Sequence, residues 1–328
     1  MEKLKQFLTF LLCILILSGC GAKAAAPMES TESPQPTLTH SVALQTPVTS
    51  KEAASLEVPP SPPWVPEASA SGLALERCAD AEIDYSHTRD GYVMVRYTTP
   101  TDLRLKVLIK GPTTTYSYNL PQGRWTVFPL SDGNGSYQIA VYRNVSGTRY
   151  AMVLSVTCQV ALADEFSPFL RPNQYVNYTA DSQTLQKASA LTAGLTSPLD
   201  KVAAVYDYII ANIAYDHEKA AAVQSGYLPD LDRVLEEGKG ICFDYAALVT
   251  AMLRSQHIPC KLVVGYAGEV YHAWISVWTE DHGWIDGIIF FDGQDWRRMD
   301  PTFASSAREN PEINDFLQNG TYTAKYLY

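Results

Sequence analysis

Gly238-Lys239-Gly240-Ile241-Cys242-Phe243-Asp244-Tyr245-Ala246-Ala247, running on into Leu248–Ser255, is the stretch that decides the fold. Its two glycines allow a tight turn or a close approach of backbone, and a helical pattern of apolar residues starts directly behind them. This places Cys242 at the start of a helix. The first N–H groups of a helix have no partner inside it, and together with the positive end of the helix dipole they favour a thiolate. The same groups can hold an oxyanion formed on an attacked carbonyl. Taken alone, a cysteine after a glycine turn is more often a small buried residue, so the reading rests on what accompanies it.

Two further segments accompany it. Tyr271-His272-Ala273-Trp274-Ile275-Ser276-Val277-Trp278 reads as a strand, with His272, Trp274, Ser276 and Trp278 on one face and Ala273, Ile275 and Val277 on the other. A helix laid against the antiparallel pair made by this strand and Lys261–Tyr266 can bring Cys242 and His272 together. In Trp296-Arg297-Arg298-Met299-Asp300-Pro301-Thr302, Asp300 ends a strand at a turn set by Pro301. There it can accept the His272 N–H and fix the tautomer that a base needs. Cys260, at the start of a strand, reads as a buried small residue.

Together the three segments resemble the transglutaminase-like superfamily. Its nucleophile segment has the form G-x-C-x-x-A, its histidine lies in an H-A-W strand and its aspartate in a D-P-T turn. Here these are Gly240-Ile241-Cys242-Phe243-Asp244-Tyr245-Ala246, His272-Ala273-Trp274 and Asp300-Pro301-Thr302, in the same order. The resemblance spans roughly Leu185 to Ala304. It implies an α+β, papain-like catalytic domain with helices packed on an antiparallel sheet, Cys242 as nucleophile, His272 as base and Asp300 as orienter. It implies acyl transfer on protein or peptide amides, by transfer or by hydrolysis, since the family contains both. Phe243, Tyr266, Tyr271 and Trp274 are the expected cleft walls. No metal or organic cofactor is implied, and the sequence has no HExxH, CxxC pair or phosphate loop. One departure is the segment Ile285–Arg298, expected as a hairpin over the cleft, whose Asp286, Asp292 and Asp295 rival Asp300. The other class to weigh is a catalytically idle binding protein on the same fold. Cell-wall peptidases of related Cys–His families usually show Asp-Cys-Ser-Gly, which Ile241-Cys242-Phe243-Asp244 does not match.

Upstream, Leu185–Leu195 is moderately periodic. Ser197-Pro198 then opens a better helix, with Ser197 as N-cap, Pro198 at the first helical position and Asp200 in the first turn. Val202, Val205, Tyr206, Ile209, Ile210 and Ile213 give it one buried face. Asp216-His217-Glu218 follows as a solvated helix end, because three adjacent residues cannot converge on one ion. Before these helices come short alternating stretches separated by turn residues: Tyr92–Tyr97, Leu103–Ile109, Thr115–Leu120, Arg124–Pro129, Tyr137–Arg143 and Tyr150–Val156. They predict a β-sandwich of immunoglobulin-like type. Cys78 and Cys158 at its ends are the expected disulfide partners in an exported protein.

The chain begins with Lys3 and Lys5, an apolar run from Phe7 to Leu17, and Leu17-Ser18-Gly19-Cys20. That is a secretion signal rather than a membrane span. Its ending resembles the bacterial lipobox, which implies lipidation of Cys20 and anchoring at the outer face of the cell membrane. The following stretch is rich in Pro, Ser, Thr and Ala and has too little to bury, so it reads as a tether. The organisation expected over 328 residues is therefore signal 1–19, tether 20–72, β-sandwich 73–162 and catalytic domain 163–328. A formal charge of −10 with no basic stripe excludes nucleic acid. The expected partners are a protein or peptide substrate and, through Cys20, the membrane.

Overall fold

The computed structural model describes residues 61–286, 289–291, 296–298 and 321–328. Eight strands come first: β1 (Leu75–Arg77), β2 (Ala81–Asp84), β3 (Tyr92–Tyr97), β4 (Leu105–Lys110), β5 (Thr115–Asn119), β6 (Thr126–Pro129), β7 (Gly135–Ser146) and β8 (Arg149–Val160). They form two antiparallel sheets in the orders β1-β2-β3-β6 and β5-β4-β7-β8. Period-two alternation makes each sheet two-sided. In β4, Leu105, Val107 and Ile109 are buried, and in β5, Tyr116 and Tyr118 are buried between exposed Thr115 and Ser117. The sheets meet through these faces, with Tyr118 of one 5.1 Å from Phe128 of the other, ring to ring.

The expected Cys78–Cys158 disulfide is not formed, and both residues are free thiols. Cys78 sits exposed in the turn after β1, its N–H donating to Ala81 O. Cys158 lies in β8 and packs against the buried core, and burial pushes its thiol pKa up. One sulfur thus faces solvent and the other the interior.

The second half starts with α1 (Gln183–Leu191) and α2 (Pro198–Asn212). The Ser197 side chain accepts the Asp200 N–H, and Val202, Val205, Tyr206 and Ile209 are buried, as the sequence predicts. Short elements follow: β9 (Ala214–Tyr215), α3 (His217–Ala222), α4 (Leu231–Glu237) and β10 (Lys239–Gly240). Asp216, expected at a solvated helix end, is the N-cap of α3 and accepts the Lys219 N–H. Next come α5 (Cys242–Arg254), β11 (Cys260–Ala267), β12 (Val270–Thr279) and β13 (Gly283–Asp286). β14 (Ile289–Phe291) pairs with β15 (Trp296–Arg298), so two short strands stand within the expected hairpin. β16 (Tyr322–Leu327) closes an antiparallel sheet of order β13-β12-β11-β16.

α5 is the hub of this half. It is apolar nearly all round, and α1, α2 and α4 pack against it along with the sheet. The sheet face it covers carries Cys260, Leu262, Val264, Ala273, Ile275 and Val277, all buried. The core continues into the sandwich through Tyr175, whose ring lies 4.3 Å from Tyr328 and 5.7 Å from Tyr118. Nearby, the Gln174 side-chain amide accepts from Asn119 N–H and donates to Asn119 O, fastening the connecting segment to β5.

Candidate functional site

Cys242 is the first residue of α5 and is half-buried. Three local devices hold it there. Gly238 ends α4 in the left-handed region at φ +62°, which favours glycine. β10 then pairs in parallel with β9, Lys239 beside Ala214 and Gly240 beside Tyr215, tying the approach to the end of α2. Tyr245 donates its hydroxyl to Ile213 O at 2.6 Å from inside the helix. The first intrahelical bond at this end runs from Tyr245 N–H to Ile241 O. The N–H groups of Cys242, Phe243 and Asp244 therefore have no partner within the helix and make this end electropositive.

Asp244 is fully buried, two residues after the cysteine. Its carboxylate accepts the Ile241 N–H at 2.9 Å, the Lys219 ammonium at 2.7 Å and the Tyr227 hydroxyl at 2.5 Å. Burial first, and then the hydrogen-bonded Asp244 carboxylate, holds the Tyr227 phenol well above the usual range. A Cβ on Gly240 would come within 2.7 Å of the Asp244 Cβ, so the glycine two residues before the cysteine makes room for the aspartate two residues after it.

His272 lies in β12 opposite Gly265 and is buried, its ring stacked over Trp274 at 6.2 Å. Alternation divides β12 as expected: α5 covers the Ala273, Ile275 and Val277 face, while His272 and Trp274 start from the other. The end of β12 next to the cysteine is its start. Tyr271, immediately before His272, has its phenol pKa raised by burial first, then by Tyr326, Tyr266 and the Cys242 thiol. Tyr271 pairs with Tyr266 across the β11–β12 hairpin, and the two rings meet edge to face at 5.5 Å. They stay 52% and 40% exposed, which marks them as surface beside the cysteine rather than core. Phe243 is half-buried between Tyr175 at 5.7 Å and Tyr227 at 6.5 Å. Trp274, expected as a cleft wall, is a buried side chain on the sheet face away from α5. Its indole fills the space that glycine leaves at position 265.

Asp300, Asp292 and Asp295 lie outside the described residues. Asp286 is described: it pairs with Ser276 and lines, with Lys261, Val263, Trp274 and Tyr322, a cavity of about 350 Å³. Ser276 is four residues along the strand from His272, about 13 Å at 3.3–3.4 Å per residue. That separation removes Asp286 as a direct partner of the histidine. Lys261 stands over the Trp284 ring at 3.5 Å, and burial lowers its ammonium pKa while Asp286 opposes that shift.

The sequence reading passed over Tyr175, Lys219 and Tyr227. Asp244 alone carried a local signal, since an acidic residue at the third position of a helix is placed to accept an N–H at its start.

A cysteine opening a buried helix, laid on an antiparallel sheet whose second strand carries a histidine, defines the class of domain. Residues 185–287 match the family model of the transglutaminase-like superfamily, and this part of the chain is a transglutaminase-like domain. Cytokinesis protein 3 of Schizosaccharomyces pombe is 27% identical over 139 residues, 40% of this chain and 14% of that protein. The uncharacterized protein YebA of Bacillus subtilis is 27% identical over 117 residues, 30% of this chain and 16% of that one. The chain thus spans about one-seventh of the length of these relatives. A Cytophaga hutchinsonii crystal structure with the provisional label of cysteine protease aligns at 17% identity and a TM-score of 0.35, covering 78% of this chain and 74% of that one.

Proposed function

We propose that the chain is an extracytoplasmic, cysteine-dependent acyl-transfer enzyme acting on protein or peptide amides. The observation that carries this is the position of Cys242, half-buried at the open N–H end of α5 and beside the start of the strand that bears His272. The Cys242 sulfur attacks the amide carbonyl, and the N–H groups at the helix start receive the negative charge that develops on its oxygen. The C–N bond breaks, His272 delivers the proton taken from the thiol to the leaving amine, and a thioester remains. Water then releases an acid, or a second amine releases a new amide, and the thiol is regenerated. Asp300 is the assigned orienter of His272, supported by its D-P-T context and by the distance of Asp286.

The test incubates the full chain with a glutamine-containing protein plus a labelled amine, and in parallel with peptide amides, against Cys242→Ala. Cys242-dependent amine incorporation or amide cleavage is expected. Neither product above the Cys242→Ala control would refute the assignment. Location belongs to the same proposal. Lipidated Cys20 anchors the chain, and the tether expected over 20–72 ends before Trp64, whose N–H donates to Ser255 O at 3.1 Å and whose ring stacks on His257 at 4.4 Å. Cys20→Ala is then expected to move the protein from the membrane to the soluble fraction, and an unchanged distribution would count against the anchor.

A further inference from the structure

Asp244 is a buried carboxylate that the acyl-transfer chemistry leaves without a role. Its three donors come from three places in the chain: the turn before the nucleophile (Ile241), the helix α3 (Lys219) and the loop before α4 (Tyr227). The Lys219 ammonium also lies over the Tyr227 ring at 4.6 Å, and that ring meets the edge of Phe243, the residue next to Cys242. A second ion pair, Lys239 with Asp216 at 3.3 Å, and the Asp216 N–H to Gly240 O bond fasten the same two segments one turn away.

The geometry points to Asp244, Lys219 and Tyr227 as a positioning clasp for the nucleophile, one that locks the α3 segment and its following loop to the helix start and fixes the direction in which the Cys242 sulfur points. Asp244 touches neither sulfur nor substrate in this role. It acts by holding the Ile241 peptide and hence the first turn of α5. Gly240 belongs to the clasp as well, because only a residue without a Cβ leaves space for the Asp244 side chain. The inference rests on the acyl-transfer reading of Cys242.

Alkylation of the full chain with iodoacetamide at neutral pH, read cysteine by cysteine by peptide mass spectrometry, separates the two claims. Cys78, exposed and outside the site, serves as the internal reference. If wild-type Cys242 reacts no faster than Cys78, the acyl-transfer reading fails. If it reacts faster, the variants test the clasp. Tyr227→Phe and Lys219→Met are each expected to slow Cys242 by about threefold or more, and Asp244→Asn by about tenfold, with Cys78 unchanged. Lys219→Arg keeps the cation and is expected to recover most of the Lys219→Met loss, which a packing defect would not do. Tyr227→Phe leaves no charge unpaired, so it keeps the test open where Asp244→Asn fails to fold. Cys242 rates within about twofold of wild type in both Tyr227→Phe and Lys219→Met would overturn the clasp. So would a Lys219→Met loss that Lys219→Arg does not restore.

Discussion

Replacing Arg254 with Met is expected to lower the stability of the folded unit by about 3–5 kcal/mol. Arg254 is the last residue of α5 and is fully buried, and burial lowers its guanidinium pKa. Among the described residues no side-chain carboxylate accepts from it. Instead its Nε and Nη2 donate to Cys260 O at 2.9 and 2.7 Å, its Nη1 to Arg171 O at 2.6 Å and its Nη2 to Tyr328 O at 2.6 Å. The β11–β16 ladder runs to the pair in which Leu262 and Tyr328 exchange N–H and O, and Arg254 supplies the donors to Cys260 O. Tyr328 O still has the Leu262 N–H after the substitution, while the Cys260 and Arg171 carbonyls lose the guanidinium. Charged hydrogen bonds contribute about 1.5–3 kcal/mol each, and losing them at three acceptors sums to roughly 4–9 kcal/mol. Burying the apolar Met side chain returns about 1.5–3 kcal/mol. Replacing a buried ion by an apolar residue can be neutral where its partners leave with it, but here the carbonyls stay behind. At about 2–4 °C per kcal/mol for a unit of this size, the melting temperature should fall by about 10 °C. Thermal and urea unfolding of the two proteins measures this. A midpoint within about 2 °C of wild type would refute the reasoning, because it would mean that the carbonyls find other donors at no cost.

Burial pushes the Cys260 thiol up to about 11, with a hydrogen bond to Thr250 and the charge of Arg254 opposing the shift. The native state therefore keeps this proton while the unfolded chain loses it from about pH 8.5, so stability falls as pH rises from about 8.5 towards 11. The penalty of Cys260→Ala in urea unfolding should then be smaller by roughly 3 kcal/mol at pH 11 than at pH 8, and equal penalties would contradict it. Gly265→Ala would drive a Cβ into the Thr323 main-chain oxygen and to within 2.9 Å of Trp274 Cη2, parting β16 from β11 beside His272. A loss of about 1–3 kcal/mol with reduced Cys242-dependent turnover is expected, and an unchanged melting curve would exclude it. Tyr266→Ala and Tyr271→Ala remove exposed ring surface beside the cysteine. They should raise KM for a cleaved or acylating peptide by about three- to tenfold with kcat changed much less, and an unaltered KM would rule out both rings as substrate contacts.

Much of this architecture was legible where it depended on neighbours in sequence. Ser197-Pro198 begins a helix because the serine satisfies an N–H three residues on and proline needs none. β3 has the boundaries that its alternation predicts, and Cys242 opens α5 because apolar periodicity starts directly after the glycines. β1 and β2 were not anticipated, since three and four residues are too short to show a period. β16 was missed for another reason: Tyr-Thr-Ala-Lys-Tyr-Leu becomes a strand by pairing with distant β11, and local propensity does not record that. The aromatic surround of the cysteine shows the same limit. Tyr266 and Tyr271 could be read from the hairpin, but Tyr175 reaches Phe243 only because the chain between the two halves folds back over β5. Trp274 shares its face of β12 with His272, as their alternation predicts, and its burial there could not be read from the strand alone.

The placement of β16 also sets an order of events during synthesis. A polypeptide emerging amino end first offers the sandwich, then α5 and the β11–β12 hairpin, all before residues Tyr322–Leu327 exist to cover the outer edge of β11. Until then that edge has open hydrogen-bonding groups, and Arg254 lacks one of its acceptors. A nascent chain stalled at this stage should therefore hold an incomplete sheet next to Cys242. Formation of β16 is the step at which the outer edge of β11 is covered and Arg254 gains its Tyr328 acceptor.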